Sequence, residues 1–151
     1  MQRHEALMRL AIAEAEAALA RGEVPVGAVI VQGEKVLARA GNKREIDNDP
    51  TGHAELIALR EAARALGGRR LTGCTLYVTL EPCPMCAGAI ALSGLDAIYF
   101  GAHDPRMGCC GSIYRLTEDT ALGLGVTPAH GGLLAEPCAA LLQEFFAQRR
   151  S

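Results

Sequence analysis

Residues 75–86 read Thr-Leu-Tyr-Val-Thr-Leu-Glu-Pro-Cys-Pro-Met-Cys, and the architecture can be worked out from this segment. Its first part, residues 75–80, is rich in β-branched and aromatic side chains and predicts a strand. Pro84 is typical of the first turn of a helix, and Gly94 of the position after its end, so residues 84–92 are predicted to be helical. Residues 97–100 then form the next predicted strand.

The preceding chain predicts a helix, a hairpin and a second helix. Residues 5–20 are rich in Ala, Leu and Glu and have helical spacing of apolar positions. Two short apolar runs, 26–31 and 35–40, flank a Gln-Gly-Glu turn and predict a hairpin. Thr51 is expected to cap a helix that starts near Gly52–His53 and ends at about Leu66, before two glycines.

The C-terminal third is harder to interpret. Residues 101–132 are rich in glycine, and only one helical turn, near 112–116, is predicted there. Residues 136–150 predict a last helix whose buried side carries Leu141, Leu142, Phe145 and Phe146. Because strands alternate with helices, the pattern predicts one three-layer α/β domain with a mixed sheet, spanning 1–151.

Composition limits the classes of function. Half of the 151 residues are hydrophobic, 21% are charged and the formal net charge is −2. This charge argues against a tight non-specific nucleic-acid binder, so any such contact must come from a local patch. No apolar run reaches the ~18 residues of a membrane span, and the N-terminus is too polar for a signal peptide. We therefore expect a cytoplasmic protein without membrane contact, whose six cysteines are thiols or metal ligands.

Two short motifs together predict a metal site. His53-Ala54-Glu55 is followed, after 26 residues, by the Pro82–Cys86 motif with cysteines at positions 83 and 86. Zinc prefers nitrogen and sulfur ligands, and three protein ligands plus a water are typical of a catalytic site. Both cysteines lie at a predicted helix N-terminus, which favours thiolates. We predict that His53, Cys83 and Cys86 bind zinc.

Glu55 is not required as a ligand. Lying in the same first helical turn as His53, it is placed to accept a proton from a zinc-bound water and to deliver it to a ring nitrogen and a leaving amine. This combination of roles fits the hydrolytic deamination of a purine or pyrimidine.

Two other interpretations of the motifs remain open. A Cys-x-x-Cys sequence that follows a strand and opens a helix is also typical of thioredoxin-like redox sites, although the His-x-Glu motif favours a metal. A purely structural zinc site would need a fourth protein ligand. The candidates for that ligand are Cys74, Cys109, Cys110 and His130.

Further recognisable motifs are spread over most of the chain. They include residues 23–29 (Glu-Val-Pro-Val-Gly-Ala-Val), 50–55 (Pro-Thr-Gly-His-Ala-Glu), 76–83 (Leu-Tyr-Val-Thr-Leu-Glu-Pro-Cys), and 138–142 followed by Phe145-Phe146. Together with the zinc motifs, they resemble the cytidine/nucleoside deaminase superfamily and, within it, the bacterial tRNA-specific adenosine deaminases of the TadA type.

The resemblance implies a cytidine-deaminase-like α/β/α fold with a five-stranded mixed sheet, one zinc ion per subunit and a homodimer. It implies conversion of the wobble adenosine in a tRNA anticodon loop to inosine. Asn42 matches the position that reads the flipped base, while Asp104 and Arg106 match a loop that meets the flanking nucleotides. The remaining substrate positions are Val26, Ala54, Glu81, Pro82, Arg149 and Arg150. The last two are implied to lie near RNA phosphates, and a solubilising tail is the alternative.

Three positions depart from the family pattern, and they motivate alternative functions. Gly52 and Gly94 stand where Ala and Arg are usual, and residues 121–126 lack an Asn-His pair. The main alternative is therefore a deaminase of free nucleobases or nucleosides, such as guanine or cytosine. A non-catalytic zinc protein that binds RNA is the third hypothesis.

Overall fold

The structure, a computed structural model, describes residues 2–149. Its helices and strands follow one another as a helix, a hairpin, a helix and then alternating strands and helices. They are α1 (Gln2–Ala20), β1 (Gly27–Gln32), β2 (Lys35–Gly41), α2 (Ala54–Leu66), β3 (Cys74–Leu80), α3 (Pro84–Ser93), β4 (Ala97–Ala102), β5 (Ala129–His130) and α4 (Ala135–Arg149), with single 3₁₀ turns at Leu116–Glu118 and Thr120–Leu122. Within residues 2–149, every helix is too short or too polar to cross a bilayer.

The five strands form one mixed sheet in the order β2-β1-β3-β4-β5. β1 is antiparallel to both β2 and β3, whereas β3, β4 and β5 run parallel. The parallel pairing of β3 with β4 follows from α3, because a helical crossover returns the chain to the same end of the sheet. The predicted five-stranded mixed sheet is confirmed.

Helices cover both faces of the sheet, which confirms the three-layer prediction. Alternate residues of β1 point to opposite faces, so Ile30 packs with α2 and α3 while Val29 packs with α1 and α4. The larger core lies on the α2/α3 face and contains side chains such as Leu76 and Phe100. The site residues of α2 and α3 are therefore carried on well-packed helices.

Gly27 allows α1 to pack unusually close to the sheet. A Cβ atom at this position would overlap the backbone carbonyl of Ala11 in α1. After Met8, the buried residues of α1 are accordingly all alanines, at positions 11, 15 and 18. This close packing determines where the chain leaves α1 and enters the segment 22–26 that leads to β1.

The helix ends depart from one prediction and agree with another. Thr51 does not cap α2, because its N–H and hydroxyl both donate to the Asp49 carboxylate, and the N-cap residue is His53. Gly94 ends α3 with a φ of 74°, a left-handed conformation that favours glycine, as predicted. The guanidinium of Arg70 lies against the space that a side chain at position 94 would occupy.

Other differences lie in the C-terminal third. The helical turn predicted near 112–116 is wrong, since the 3₁₀ turns begin only at Leu116. The residue pattern also missed β5, which is only two residues long and therefore too short to show alternation. Phe145 is buried on α4 as predicted, but Phe146 is 47% exposed because it lies on the other side of the helix.

Candidate active site

Two helix N-termini bring the predicted metal ligands together. His53 is the N-cap residue of α2 and Cys83 that of α3, and Cys86 lies in the first turn of α3. His53 Nδ1 lies 3.7 Å from Cys83 Sγ and 3.5 Å from Cys86 Sγ. The three ligand atoms all lie within 4.8 Å of one another. Residues 30 positions apart in the chain thus form one cluster.

The cluster has the chemistry and spacing of a zinc site. Zinc binds imidazole nitrogen at about 2.0 Å and thiolate sulfur at about 2.3 Å, so a tetrahedral site separates the two atoms by roughly 3.6 Å. The observed separations of 3.5 and 3.7 Å agree with this value.

A structural zinc site with four protein ligands is not supported within residues 2–149. The group of residues able to hold a metal contains His53, Cys83 and Cys86 alone, and the four proposed extra ligands lie outside it. A set of three protein ligands is the pattern of a catalytic zinc site, which keeps one position for water. The imidazole beside both sulfurs also favours a metal centre over a redox pair.

The two cysteines share a proton unequally. A hydrogen bond with the Cys86 thiol, assisted by one with His53, lowers the pKa of Cys83 to about 4 despite its partial burial. The same hydrogen bond raises the pKa of Cys86, and burial raises it further. Cys83 is therefore a thiolate at neutral pH, which is the form that ligates a metal.

Glu55 lies buried in the first turn of α2, beside the metal cluster, and lines the same cavity as His53 and Cys83. It is 4% exposed, and burial raises the pKa of its carboxyl group to about 7. A carboxyl group with such a pKa exchanges protons readily near neutral pH, as a general acid–base requires. Its position is consistent with the predicted proton-transfer role.

A cavity of about 190 Å³ opens over this cluster. It is smaller than the ~300 Å³ at the lower end of ordinary ligand pockets, so it suits a single small ring system. The lining residues come from the segment before β1, from the loops after β2, β3 and β4, and from the start of α2. They are Val24, Val26, Asn42, Arg44, His53, Glu55, Leu80, Glu81, Cys83, Asp104 and Met107.

Asn42 is oriented in this cavity by α2 itself. Its Oδ1 accepts a hydrogen bond of 2.8 Å from the backbone N–H of Ala54, the first residue of the helix. The amide is thereby turned so that its NH₂ group is left to donate to a ligand. Ala54 is fully buried and, unlike Asn42 and Val26, does not line the cavity.

Glu81 lines the cavity, and both Glu81 and Pro82 accept hydrogen bonds from the loop that follows β4. The Glu81 carboxylate accepts backbone hydrogen bonds from Asp104, Cys110 and Ser112, and the Pro82 carbonyl accepts one from Cys109. Burial would raise the pKa of Glu81, but its hydrogen bonds, led by that from the Ser112 hydroxyl, hold it below the usual range. Glu81 therefore remains an anion that organises the loop.

The predicted RNA-contact residues are spread around the cavity. Asp104 lines it and accepts from the backbone N–H groups of Arg106 and Met107. Arg106 lies in a neighbouring cavity with Phe146. Arg149 donates to the Gly22 carbonyl at 2.9 Å and lies over the Phe145 ring, in a third cavity beside Arg44. Arg150 lies outside the described residues.

The sequence interpretation missed four residues of the cavity wall. Leu80 ends a predicted strand and Val24 lies just before one, so they carried no signal that separates lining from core. Arg44 and Met107 lie in irregular loops, where no periodicity assigns a side chain to a face. Arg44 lines both the main cavity and the one that contains Arg149, so it connects the two.

Comparison with known proteins agrees with this geometry. The family model "Cytidine and deoxycytidylate deaminase zinc-binding region" matches residues 1–102. The tRNA-specific adenosine deaminase of Bacillus subtilis is 45% identical over 150 residues, covering 99% of this chain and 92% of the relative. That of Aquifex aeolicus is 40% identical over 147 residues, covering 97% and 96%.

Solved structures show the same similarity. A structure from a study of A-to-I editing by tRNA:A34 deaminases at the wobble position superposes with a TM-score of 0.86 at 43% identity, covering 90% of this chain and 98% of the other. A guanine deaminase from Nitrosomonas europaea has a TM-score of 0.79 at 28% identity, with coverages of 95% and 84%. The chain therefore belongs to the zinc-binding cytidine and deoxycytidylate deaminase family, in the group that contains the tRNA-specific adenosine deaminases.

Proposed function

We propose that this enzyme hydrolytically deaminates the wobble adenosine of a tRNA anticodon loop to inosine, releasing ammonia. The observation that carries the proposal is the buried Glu55 beside the His53–Cys83–Cys86 cluster, at the floor of a cavity sized for one base. Relatives that are 40–45% identical over nearly the whole chain act on tRNA adenosine according to their names.

The chain's own residues supply most of the chemistry. Zinc held by His53, Cys83 and Cys86 would lower the pKa of a water molecule to roughly 7 and so supply the nucleophile. Glu55 would accept one proton from this water as its oxygen attacks C6, and would deliver that proton to N1 of adenine. It would then pass a second proton, released by the new C6 hydroxyl, to the amino group, which leaves as ammonia. Asn42 orients the base by donating a hydrogen bond from its NH₂ group.

A tRNA anticodon loop suits this cavity better than a duplex. Bases in single-stranded loops are already unstacked, so one of them can enter a narrow pocket at little cost. Arg44 and Arg149, which line adjoining cavities, place positive charge where the backbone of the loop would leave the pocket. A local basic patch of this kind is compatible with the overall charge of −2.

A deaminase of free bases is the second candidate, because the Nitrosomonas guanine deaminase shares the fold. A catalytic cavity closed by the chain's own C-terminal segment would favour this second candidate. Within residues 2–149, no residue of α4 lines the catalytic cavity. A non-catalytic zinc protein is disfavoured by Glu55, because a structural site has no use for a buried carboxyl group there.

The enzyme is further proposed to be a homodimer that acts in the cytoplasm, where tRNA is found. α3 contains no charged residue, and two of its apolar side chains, Met85 and Leu92, are 37% and 62% exposed. Ile113 and Tyr114, in the segment that follows β4, are further exposed apolar side chains. A second copy of the chain, docked on this face, would bury it.

The test is an assay of the zinc-loaded protein on an anticodon stem-loop with adenosine at the wobble position. A stem-loop with the adenosine moved to another loop position is the matched control, and free adenosine, guanine and cytosine are assayed in parallel. We expect inosine only in the first stem-loop, detected by mass spectrometry of the nucleosides. Turnover of a free base without turnover of RNA would contradict the proposal and support the second candidate.

A further inference from the structure

Two buried carboxylates lie outside the metal cluster and are not used in the proposed chemistry. Glu23 and Glu81 are 1% and 2% exposed, respectively. Neither is neutralised by Lys or Arg among the described residues, and the imidazole of His103, 3.7 Å from Glu81, is mostly exposed. Buried anions are costly unless they are well hydrogen-bonded, so the partners of these two residues indicate their role.

Glu81 binds the loop that follows β4. One of its oxygens accepts from the Asp104 N–H at 3.0 Å and from the Ser112 hydroxyl. The other accepts from the N–H groups of Cys110 and Ser112 at 3.1 and 2.9 Å. The carboxylate thus joins both ends of the segment 104–112, whose Asp104 and Met107 line the cavity.

Glu23 binds the loop that follows β2 in the same manner. Its two oxygens accept from the backbone N–H groups of Arg44, Glu45 and Ile46 at distances of 2.9–3.2 Å. Arg44, the first of these residues, lines the catalytic cavity. Three successive N–H groups held by one carboxylate leave this turn a single backbone orientation.

Both segments lie outside the named helices and strands, and their backbone contacts are turn hydrogen bonds and one isolated bridge between Cys110 and Arg115. Each is instead attached to a rigid part of the fold. Glu81 directly follows β3 and precedes the zinc ligand Cys83 by two residues, while Glu23 joins α1 to the segment before β1. The carboxylates therefore connect these two irregular parts of the cavity wall to the part of the fold that carries the metal-ligand cluster.

We propose that Glu23 and Glu81 are positioning residues that hold segments 44–46 and 104–112 in the arrangement required by the substrate strand. This inference rests on the proposed function, since it assigns the substrate-binding part of that same site. The two residues determine the affinity for the nucleotides around the reacting base and leave the chemical step to Glu55 and the metal ligands.

The experiment compares Glu23→Gln and Glu81→Gln with the wild-type zinc enzyme on the anticodon stem-loop. An amide directs two N–H donors toward loop N–H groups and removes the charge, so it weakens the contact at nearly constant size. We expect KM to rise about tenfold or more in each variant, kcat to change by less than about threefold, and zinc content to stay the same.

Hydrogen exchange supplies a readout that does not depend on activity. In Glu81→Gln, the amides of residues 104, 110 and 112 should exchange faster while those of 44–46 stay protected, and Glu23→Gln should show the reverse. Val31→Ala, in the core on the α1/α4 face, is the control for general destabilisation. A purely structural role would make all three variants lose stability without a KM effect specific to the glutamate variants, and that result would overturn the inference.

Gly108→Ala keeps the test valid if Glu81→Gln does not fold. A Cβ at Gly108 would overlap the Glu81 carboxylate, so this variant disturbs the same contact while retaining the charge. We expect it to raise KM and accelerate exchange in segment 104–112. Unchanged KM and exchange would contradict the inference. If the wild-type enzyme does not modify the stem-loop, the proposed function fails, and the exchange experiment still shows whether the carboxylates hold the loops.

Discussion

Asn42 Oδ1 lies 2.8 Å from the backbone nitrogen of Ala54, so the residue proposed to read the base also binds the first N–H of the helix that begins beside His53. The helix lacks a side-chain cap from its own N-cap residue, because His53 is committed to the metal cluster. Asn42 therefore satisfies one of the first four N–H groups of α2, which have no partner within the helix. This contact couples base recognition to the position of the zinc ligand.

Replacing Asn42 separates these two roles. Asn42→Asp keeps an acceptor for Ala54 but loses the NH₂ donor, so kcat/KM on the stem-loop should fall about 10- to 100-fold, with little change in melting temperature. Asn42→Ala also leaves the Ala54 N–H unpaired and should lower the melting temperature by about 2–4 °C. Equal activity of wild type and Asn42→Asp would exclude the NH₂ group from base recognition.

Glu55→Gln tests the assignment of the proton-transfer group. The amide keeps the size of the buried side chain but can no longer accept and release a proton, so kcat should fall about 10²- to 10⁴-fold. Zinc content, measured by atomic emission, should remain at one ion per chain. A variant that loses its zinc would show that Glu55 supports metal binding, which would contradict the role given to it here.

Removal of the metal should loosen the ends of α2 and α3. His53→Ala and Cys86→Ala each delete one of the three ligands, and a chelator removes the ion from the wild-type chain. We expect a loss of about 3 kcal/mol or more, or roughly 10 °C in melting temperature, because zinc binding is coupled to folding. Added zinc should restore the chelated wild type and should leave the variants unchanged.

Arg149 has contacts within the chain that must be separated from contacts to RNA. Arg149→Ala should weaken binding of the stem-loop and reduce the slope of log affinity against log salt by about 1 if the guanidinium also meets a phosphate. Arg150→Ala is measured alongside as a neighbouring charge removal. A lower melting temperature with an unchanged salt slope would assign Arg149 to the attachment of α4 at the Gly22 carbonyl.

The exposed face of α3 allows a direct test of the homodimer. Leu92→Glu places a charge on a side chain that is 62% exposed and so costs the folded chain little. Sedimentation velocity should show a dimer for the wild type and a monomer for this variant. Leu122→Glu, at a residue 61% exposed outside α3, is the matched control and should remain dimeric. If both variants remain dimeric, the interface lies on another face of the protein.

Much of the fold was predictable because its elements are long and have clear ends. Residues 84–92 were recognised from Pro84 and Gly94, and the structure places α3 at Pro84–Ser93. β5 was missed because two residues cannot show a pattern, and it pairs only with β4 through parallel contacts at Ile98 and Tyr99. The prediction that Thr51 caps α2 was also wrong, because Thr51 bonds to Asp49. The N–H of Ala54 at the start of the helix is bound instead by Asn42, which is 12 residues earlier in the sequence.

The sequence by itself determined the metal-ligand set, because His53, Cys83 and Cys86 lie in short motifs whose local helix starts already orient the side chains. Only the tertiary structure showed how the cavity wall is built. Glu23 and Glu81 lie 21 to 31 residues away from the loop N–H groups that they bind. Such contacts have no periodicity along the chain, since a backbone N–H group carries no sequence signature and any residue supplies one.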